Sequence, residues 1–317
     1  MLEVAVFVAN EAALKKINSK DDLKSKVLDT NEYFGKQMAR IHNKYKYILD
    51  DGTITRIYFG NEFCEELIPS LEQVKIAYQK SVELELGFTF VTPYVTEYGM
   101  DKITKVLEYL NTLESNIEIL CNDWGTCELV HTKYKNLTII LGRRLDKVFC
   151  DPRISEEEYE EVYNEASLAY LRRPNLFVPI YQEIMQKYSI KRVEYDCYPQ
   201  GMDLSTEQEM PGFEGVSVYL PFGFVTTGRM CMMRFLNQEG GNKFDYSGPC
   251  KYACRKYNQI MKKNINVRRV NGNYVMNDTL QLYRKGNTVF YEVENFDEIL
   301  ENNHLINRVV YELELPI

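Results

Sequence analysis

Ile117-Glu118-Ile119-Leu120-Cys121-Asn122-Asp123-Trp124-Gly125 opens with an apolar run of strand length and passes through a polar turn into a helix-forming segment. A second apolar run, Leu137-Thr138-Ile139-Ile140-Leu141, follows and ends at Gly142-Arg143-Arg144. Short β-branched runs with almost no alternation suit parallel strands buried on both faces, and a helix between two such runs makes a βαβ unit. The same unit recurs toward the N-terminus. Gly87 to Tyr94 reads as a strand, followed by a helix with Ile103, Val106, Leu107 and Leu110 on its apolar face. Before it, Arg56-Ile57-Tyr58-Phe59-Gly60 reads as a buried strand running into Asn61-Glu62-Phe63-Cys64. Ser70 and Gln73 have the spacing of a capping box for a helix carrying Leu71, Val74, Tyr78 and Val82. Residues 1–10 read as a first strand, and 11–50 as mainly helical with Met38, Ile41 and Tyr45 as a stripe.

Toward the C-terminus the rhythm is interrupted and then resumes. An insertion near 146–172 carries a second capping-box pattern, Ser155 to Glu158, on an acidic helix. A helix with Pro179, Ile180, Ile184 and Met185 precedes a strand at Arg192 to Cys197. Val216 to Leu220 is the next strand and leads through Pro221-Phe222-Gly223 into an insertion near 232–275. A hairpin is expected about Lys285-Gly286-Asn287, then a helix at Phe296 to Leu300 and a last strand at Val309-Val310-Tyr311. The fold class is therefore α/β: about eight strands alternating with helices predict a (β/α)8 TIM-like barrel, irregular and carrying loop insertions. A doubly wound open sheet is the alternative, but neither G-x-G-x-x-G nor G-x-x-x-x-G-K-[ST] occurs. No Pro/Ser/Gly-rich linker divides the 317 residues, so a single barrel domain over 1–317 is expected.

The composition, 45% hydrophobic and 26% charged, is that of a folded domain. A net charge of -8 argues against broad nonspecific polyanion binding. No run reaches the ~18 apolar residues of a membrane span, and Glu3 interrupts any signal-like N-terminus. A cytoplasmic location is expected, where clustered cysteines more often bind metal or do redox chemistry than form disulfides.

Eight cysteines are present, and three of them form a pattern: Gly228-Arg229-Met230-Cys231, then, after 18 residues, Cys250-Lys251-Tyr252-Ala253-Cys254-Arg255. A C-x3-C pair can bring two thiolates to one metal centre, and a third lies near in sequence. Spacing alone leaves iron–sulfur ligation, a structural zinc site and unligated thiols all open. Cys121, Cys127, Cys150 and Cys197 show no comparable pairing.

Thr227-Gly228-Arg229-Met230-Cys231 with Ser247-Gly248-Pro249-Cys250-Lys251-Tyr252-Ala253-Cys254-Arg255-Lys256-Tyr257 resembles the signature of the collagenase-like peptidase U32 family. Ile57-Tyr58-Phe59-Gly60-Asn61-Glu62-Phe63-Cys64 is similar to the UbiV-like iron–sulfur branch of that family, and Asn122-Asp123-Trp124-Gly125 to its N-D-x-G turn. Met230 separates Arg229 from Cys231 where the family has them adjacent, Glu65-Glu66 replaces basic residues, and Phe222-Gly223 stands where peptidase-named members have His-Gly. The resemblance implies that Cys64, Cys231, Cys250 and Cys254 ligate one 4Fe-4S cluster. It also implies a part in oxygen-independent hydroxylation of a ubiquinone precursor or RNA, alone or with a paralogous U32-family subunit. The alternatives it leaves are a collagenase-like peptidase and a noncatalytic partner subunit.

Peptidase chemistry is hard to assemble from the residues themselves. The only histidines are His42, His131 and His304, and neither H-E-x-x-H nor G-x-S-x-G occurs. Tyr94, Asp123, Arg143 and Arg229 all follow strands, where a barrel gathers its functional groups, and are candidate contacts for a polar or anionic substrate. Lys251, Arg255, Lys256, Lys262, Lys263, Arg268 and Arg269, with no acidic residue from Tyr246 to Asn277, form a local attraction for an anionic small molecule or RNA. A solvated helix face is the competing reading of that segment.

Overall fold

The computed structural model describes residues 2–25, 32–113, 116–152, 154, 156–175, 178–205, 212–236, 249–262, 267–270, 273–276 and 281–317. Eight parallel strands close into a barrel: β1 (Glu3–Val8), β2 (Thr53–Gly60), β3 (Gly87–Val91), β4 (Ile117–Cys121), β5 (Leu137–Leu141), β6 (Arg192–Tyr195), β7 (Gly215–Leu220) and a last strand at Ile306–Glu312. Neighbours in sequence are neighbours in space, and the last strand pairs with both β7 and β1 to complete the circle. Helices fill most crossovers. They are α1 (Glu11–Leu14), α2 (Lys20–Ser25), α3 (Glu32–Lys44) and α4 (Lys46–Asp51) after β1, α5 (Leu71–Glu83) after β2, α6 (Glu97–Leu110) after β3 and α7 (Trp124–Lys133) after β4. After β5 come α8 (Glu156–Val162), α9 (Glu165–Arg172) and α10 (Pro179–Lys187); α11 (Phe296–Asn302) precedes the last strand. Between β6 and β7 the described residues contain no α-helix, so the alternation is not strict. No helix among the described residues is long and apolar enough to cross a membrane.

Local sequence explains these elements. The Ser70–Gln73 box forms at the start of α5, with each side chain bonded to the other residue's backbone. Asp123 caps α7 by accepting from the Gly125 and Thr126 amides. The second capping-box pattern involves Ser155, which lies outside the described residues. Met38, Ile41 and Tyr45 are buried as the stripe requires.

The segment after β7 departs from the sequence reading. Instead of a loop, β8 (Phe222–Thr227) begins a four-stranded antiparallel annex in the order β8, β13 (Thr288–Glu292), β12 (Gln281–Lys285), β9 (Gln259–Lys262). A separate hairpin pairs β10 (Val267–Val270) with β11 (Asn273–Met276), and the barrel's last strand is β14. Phe222-Gly223-Phe224-Val225-Thr226-Thr227 has the aromatic and β-branched content of a strand. Gly223 permits the pairing because a Cβ there would sit 2.3 Å from the Tyr291 ring. β12 and β13 make the expected hairpin, turning at Gly286 with φ of 58° and Asn287.

The barrel interior is partly ionic. Around an apolar set that includes Ala5, Phe7, Val91, Leu120, Ile140 and Val310 lie two charged layers. Toward the strand N-termini, Arg308 bonds Glu118 at 2.8 and 3.1 Å, Glu3 at 2.7 Å and the Tyr58 hydroxyl at 2.9 Å. At the C-terminal ends, Arg143 bonds Glu62 (2.7 Å), Glu312 (2.7 Å), Asp196 (2.8 Å) and the Phe222 carbonyl (3.1 Å), with its guanidinium 3.5 Å from the Tyr219 ring centre. Between the layers, Glu194 accepts from the Tyr58 and Tyr219 hydroxyls.

This interior sets the pH dependence of stability. Burial raises Asp146 and Asp196 to about 6 and Glu194 to about 7, and pushes Glu312 well above the carboxylate range. A carboxyl raised above its unfolded value adds stability that is complete below the unfolded pKa of about 4 and is lost as pH rises through the folded value. Burial holds His42 down at about 4, so its contribution is present above its unfolded value of about 6.5 and is lost as pH falls toward 4. The carboxyls outnumber the histidine. Lowering pH from about 8 to about 6 is expected to raise the melting temperature, each net proton changing stability by about 1.4 kcal/mol per pH unit. A flat or falling melting curve across that window would contradict the ionisation states given to these carboxyls.

Candidate metal centre

Cys64, Cys231, Cys250 and Cys254 all line one cavity of about 360 Å³ at the C-terminal end of the barrel, between the β2 loop and the annex sheet. They arrive by three routes. Cys64 follows β2 and is fixed by Asn61, whose Oδ1 accepts from the amides of Phe63 (3.0 Å) and Cys64 (2.7 Å). Cys231 enters from β8 at the start of a 3-10 turn, Met232–Phe235. Cys250 and Cys254 flank Tyr252, which adopts the left-handed conformation at φ 54°. That conformation costs a non-glycine residue roughly 1–2 kcal/mol, and it folds the C-x3-C segment back so that both cysteines reach the same cavity.

Asn287 in the annex hairpin joins these segments. Its Nδ2 donates to the carbonyls of Phe63 (2.7 Å) and Gly228 (2.6 Å), so one side chain ties the Cys64 loop to the loop that leads to Cys231. Gly286 beside it packs against Cys254 and Ile317: a Cβ there would lie 3.6 Å from the Cys254 Cβ and 3.0 Å from Ile317. The sequence predicts a hairpin at this turn, whereas its part in the site has no local signal beyond the Gly-Asn pair.

The thiols influence one another electrostatically. Burial pushes Cys64 up to about 12 and Cys254 up to about 11, with further upward contributions from Cys231 at both and from Cys254 at Cys64. Cys231 is raised too, by burial and by Cys250. Without a cation these groups are held as neutral thiols near neutral pH; a bound cation would displace their protons. Among the described residues, no group of three or more His, Cys, Asp or Glu is placed to hold a metal ion.

Arginines dominate the charge around that cavity. Arg144, Arg229 and Arg234 line it, against Glu65 and Glu66. Glu65 is engaged by the Thr96 amide and hydroxyl, both at 2.8 Å. Arg144 bonds the Glu62 carbonyl at 2.9 Å, and Tyr94 lies beneath the guanidinium groups of Arg229 (4.7 Å) and Arg144 (5.7 Å). Of the residues singled out for substrate contact, Tyr94 and Arg229 therefore meet on the thiol cavity. Asp123 does not line it and serves as the cap of α7. Arg143 does not line it either: its side chain has 0% exposure and pairs with three carboxylates. Lys251, Arg255 and Lys256 of the basic segment are exposed. Lys263 and the side chains of Lys262, Arg268 and Arg269 lie outside the described residues.

No protein-family model matches the chain, and neither does any curated protein or any solved structure.

Proposed function

We propose that Cys64, Cys231, Cys250 and Cys254 hold a 4Fe-4S cluster and that the protein is a component of oxygen-independent hydroxylation, of the kind implied by the resemblance to the U32 family. The observation that carries this is the meeting of four cysteines, spread from position 64 to 254, on one cavity. A tetrahedral zinc site with Zn–S bonds of about 2.3 Å needs its sulfurs within about 4 Å of one another. Four cysteines are the usual donor set of a 4Fe-4S cluster, and the metal content of the purified protein separates it from a four-thiolate zinc site. Arg144, Arg229 and Arg234 would offset the negative charge of four thiolates, and Asn61 and Asn287 would hold the ligand loops in place.

When bound, the cluster would supply electron transfer. The chain's own residues orient what approaches it: Tyr94 offers a ring face and Arg229 a bidentate donor for a carboxylate or phosphate. This reading takes the fold as a (β/α)8 barrel with the annex inserted before its last strand, in a cytoplasmic protein working on a ubiquinone precursor or RNA beside a paralogous subunit. Peptide hydrolysis is less well supported, because no histidine lines the cavity to serve as a base near a nucleophile.

The test is anaerobic purification followed by iron and sulfide analysis, visible absorption, and parallel assays of peptide cleavage and of oxygen incorporation into quinone precursors and RNA. About four iron and four sulfide per chain are expected, with no proteolysis. Zinc in place of iron, or proteolysis that persists after iron is removed, would overturn the reading.

A further inference from the structure

A second cavity, of about 460 Å³, lies at the same end of the barrel between the loops after β1 and β2. It touches the thiol cavity through Leu67 and Ile317, which line both, but no cysteine lines it. Its polar wall contains an unsatisfied donor. Asn61 is 1% exposed, and its Nδ2 has no hydrogen-bond partner. The amide cannot turn over to remove the deficit, because Oδ1 is committed to the Phe63 and Cys64 amides. A buried N–H left unpaired costs about 1–3 kcal/mol, so this donor is a standing demand for an acceptor.

The charges around the cavity are uneven in the same direction. Lys15 pairs with Glu11 at 2.5 Å and Lys285 with Glu314 at 3.5 Å, which neutralises two of the lining cations. Arg255 is the third, and it has no carboxylate partner among the described residues. Its guanidinium lies 4.7 Å from the Tyr252 ring centre. One uncompensated cation and one uncompensated donor lie beside the apolar surface of Phe59, Leu67 and Ile317.

We propose that this cleft binds a small organic monoanion with an apolar body, which presents an acceptor oxygen to Asn61 Nδ2 and its negative charge to Arg255. Such a ligand satisfies the buried donor, balances the lining charge and covers the apolar wall, so all three observations have one occupant. Asn61 also couples the cleft to the neighbouring site, because the amide that meets the ligand is the one that positions Cys64.

Calorimetry on the anaerobically purified full chain, with 3-phenylpropionate, 3-phenylpropanamide and 3-phenylpropylamine as a matched series, tests this. The anion is expected to bind at least about ten-fold more tightly than the amide, and the amine not at all. Asn61→Asp keeps an oxygen for the Phe63 and Cys64 amides but turns the free donor into a charged acceptor, and it should abolish anion binding. Arg255→Gln, at an exposed position where folding is not at stake, should weaken it about ten-fold and erase the preference over the amide. Absence of anion binding, equal binding of anion and amide, or unchanged binding in Arg255→Gln would each overturn the proposal. Iron content, measured on the same samples, reports separately on the cysteine centre, so the two readings fail independently.

Discussion

Cys64→Ser is expected to lose nearly all of its visible iron–sulfur absorbance after anaerobic reconstitution, about ten-fold or more relative to the parent protein at equal chain concentration. Cys64 is the most telling of the four, since it comes from the barrel itself while the other three belong to the segment between β8 and β9. Its loss removes the only thiolate on the β2 side of the cavity. The fold should survive, because Cys64 makes no contribution to the barrel sheet and Asn61 can still bond the backbone at position 64. Cys150→Ser is the control: Cys150 is equally a free thiol but does not line the cavity, and its absorbance should match the parent. Asn287→Ala, which frees both loops while leaving all four thiols, should reconstitute more slowly and lose iron faster to a chelator. Full iron and absorbance in Cys64→Ser would show that the cavity is not the metal site.

The parts of this arrangement that could be read in the sequence are those fixed by short-range pattern. The runs Ile117 to Cys121 and Leu137 to Leu141 are apolar because both faces of a parallel barrel strand are buried, and this is visible within five residues. The Ser70–Gln73 box is likewise local. Of the annex sheet only the β12–β13 hairpin was legible, from its local turn and flanking strands. β8 pairs with β13 some 60 residues later, at Thr288↔Thr227, and only register across that distance creates the sheet. Of the site, the cysteines stood out by type and spacing, whereas Asn61 and Asn287 did not: Asn61 makes a local turn with the amides two and three residues on, a weak signal by itself, and the role of Asn287 depends on which distant carbonyls the fold brings within 3 Å. Arg143 and Arg144 show the limit most clearly. Adjacent and chemically identical, they separate only in three dimensions, one closed in by Glu62, Asp196 and Glu312 and the other lining the thiol cavity.

That separation makes Arg143→Ala the most damaging single change expected outside the cysteines. Among the described residues Arg143 is the only cation bonded to Glu62, Asp196 and Glu312 together, and its side chain and those of Glu62 and Glu312 have 0% exposure. The three carboxyls come from the ends of β2, β6 and β14, so the guanidinium ties together strands from widely separated parts of the barrel. Removing one partner of a buried ion pair costs about 3–5 kcal/mol, because the remaining charges are left without compensation. The carboxyls have one escape, which is to take up protons. Burial already raises Asp196 to about 6 and pushes Glu312 well above its ordinary value, and without Arg143 the main force lowering them is gone. The sign follows: groups whose folded pKa values move up recover stability as pH falls and lose it as pH rises. Urea unfolding should therefore show a deficit for Arg143→Ala that is severe near pH 8 and smaller near about pH 5.5. Arg143→Lys retains the charge, but one ammonium cannot reproduce the fork that reaches three carboxyls and the Phe222 carbonyl, so it should fall between the two. If Arg143→Ala unfolds at the same urea concentration as the parent protein near pH 8, the arginine is not the cross-link that closes the barrel mouth.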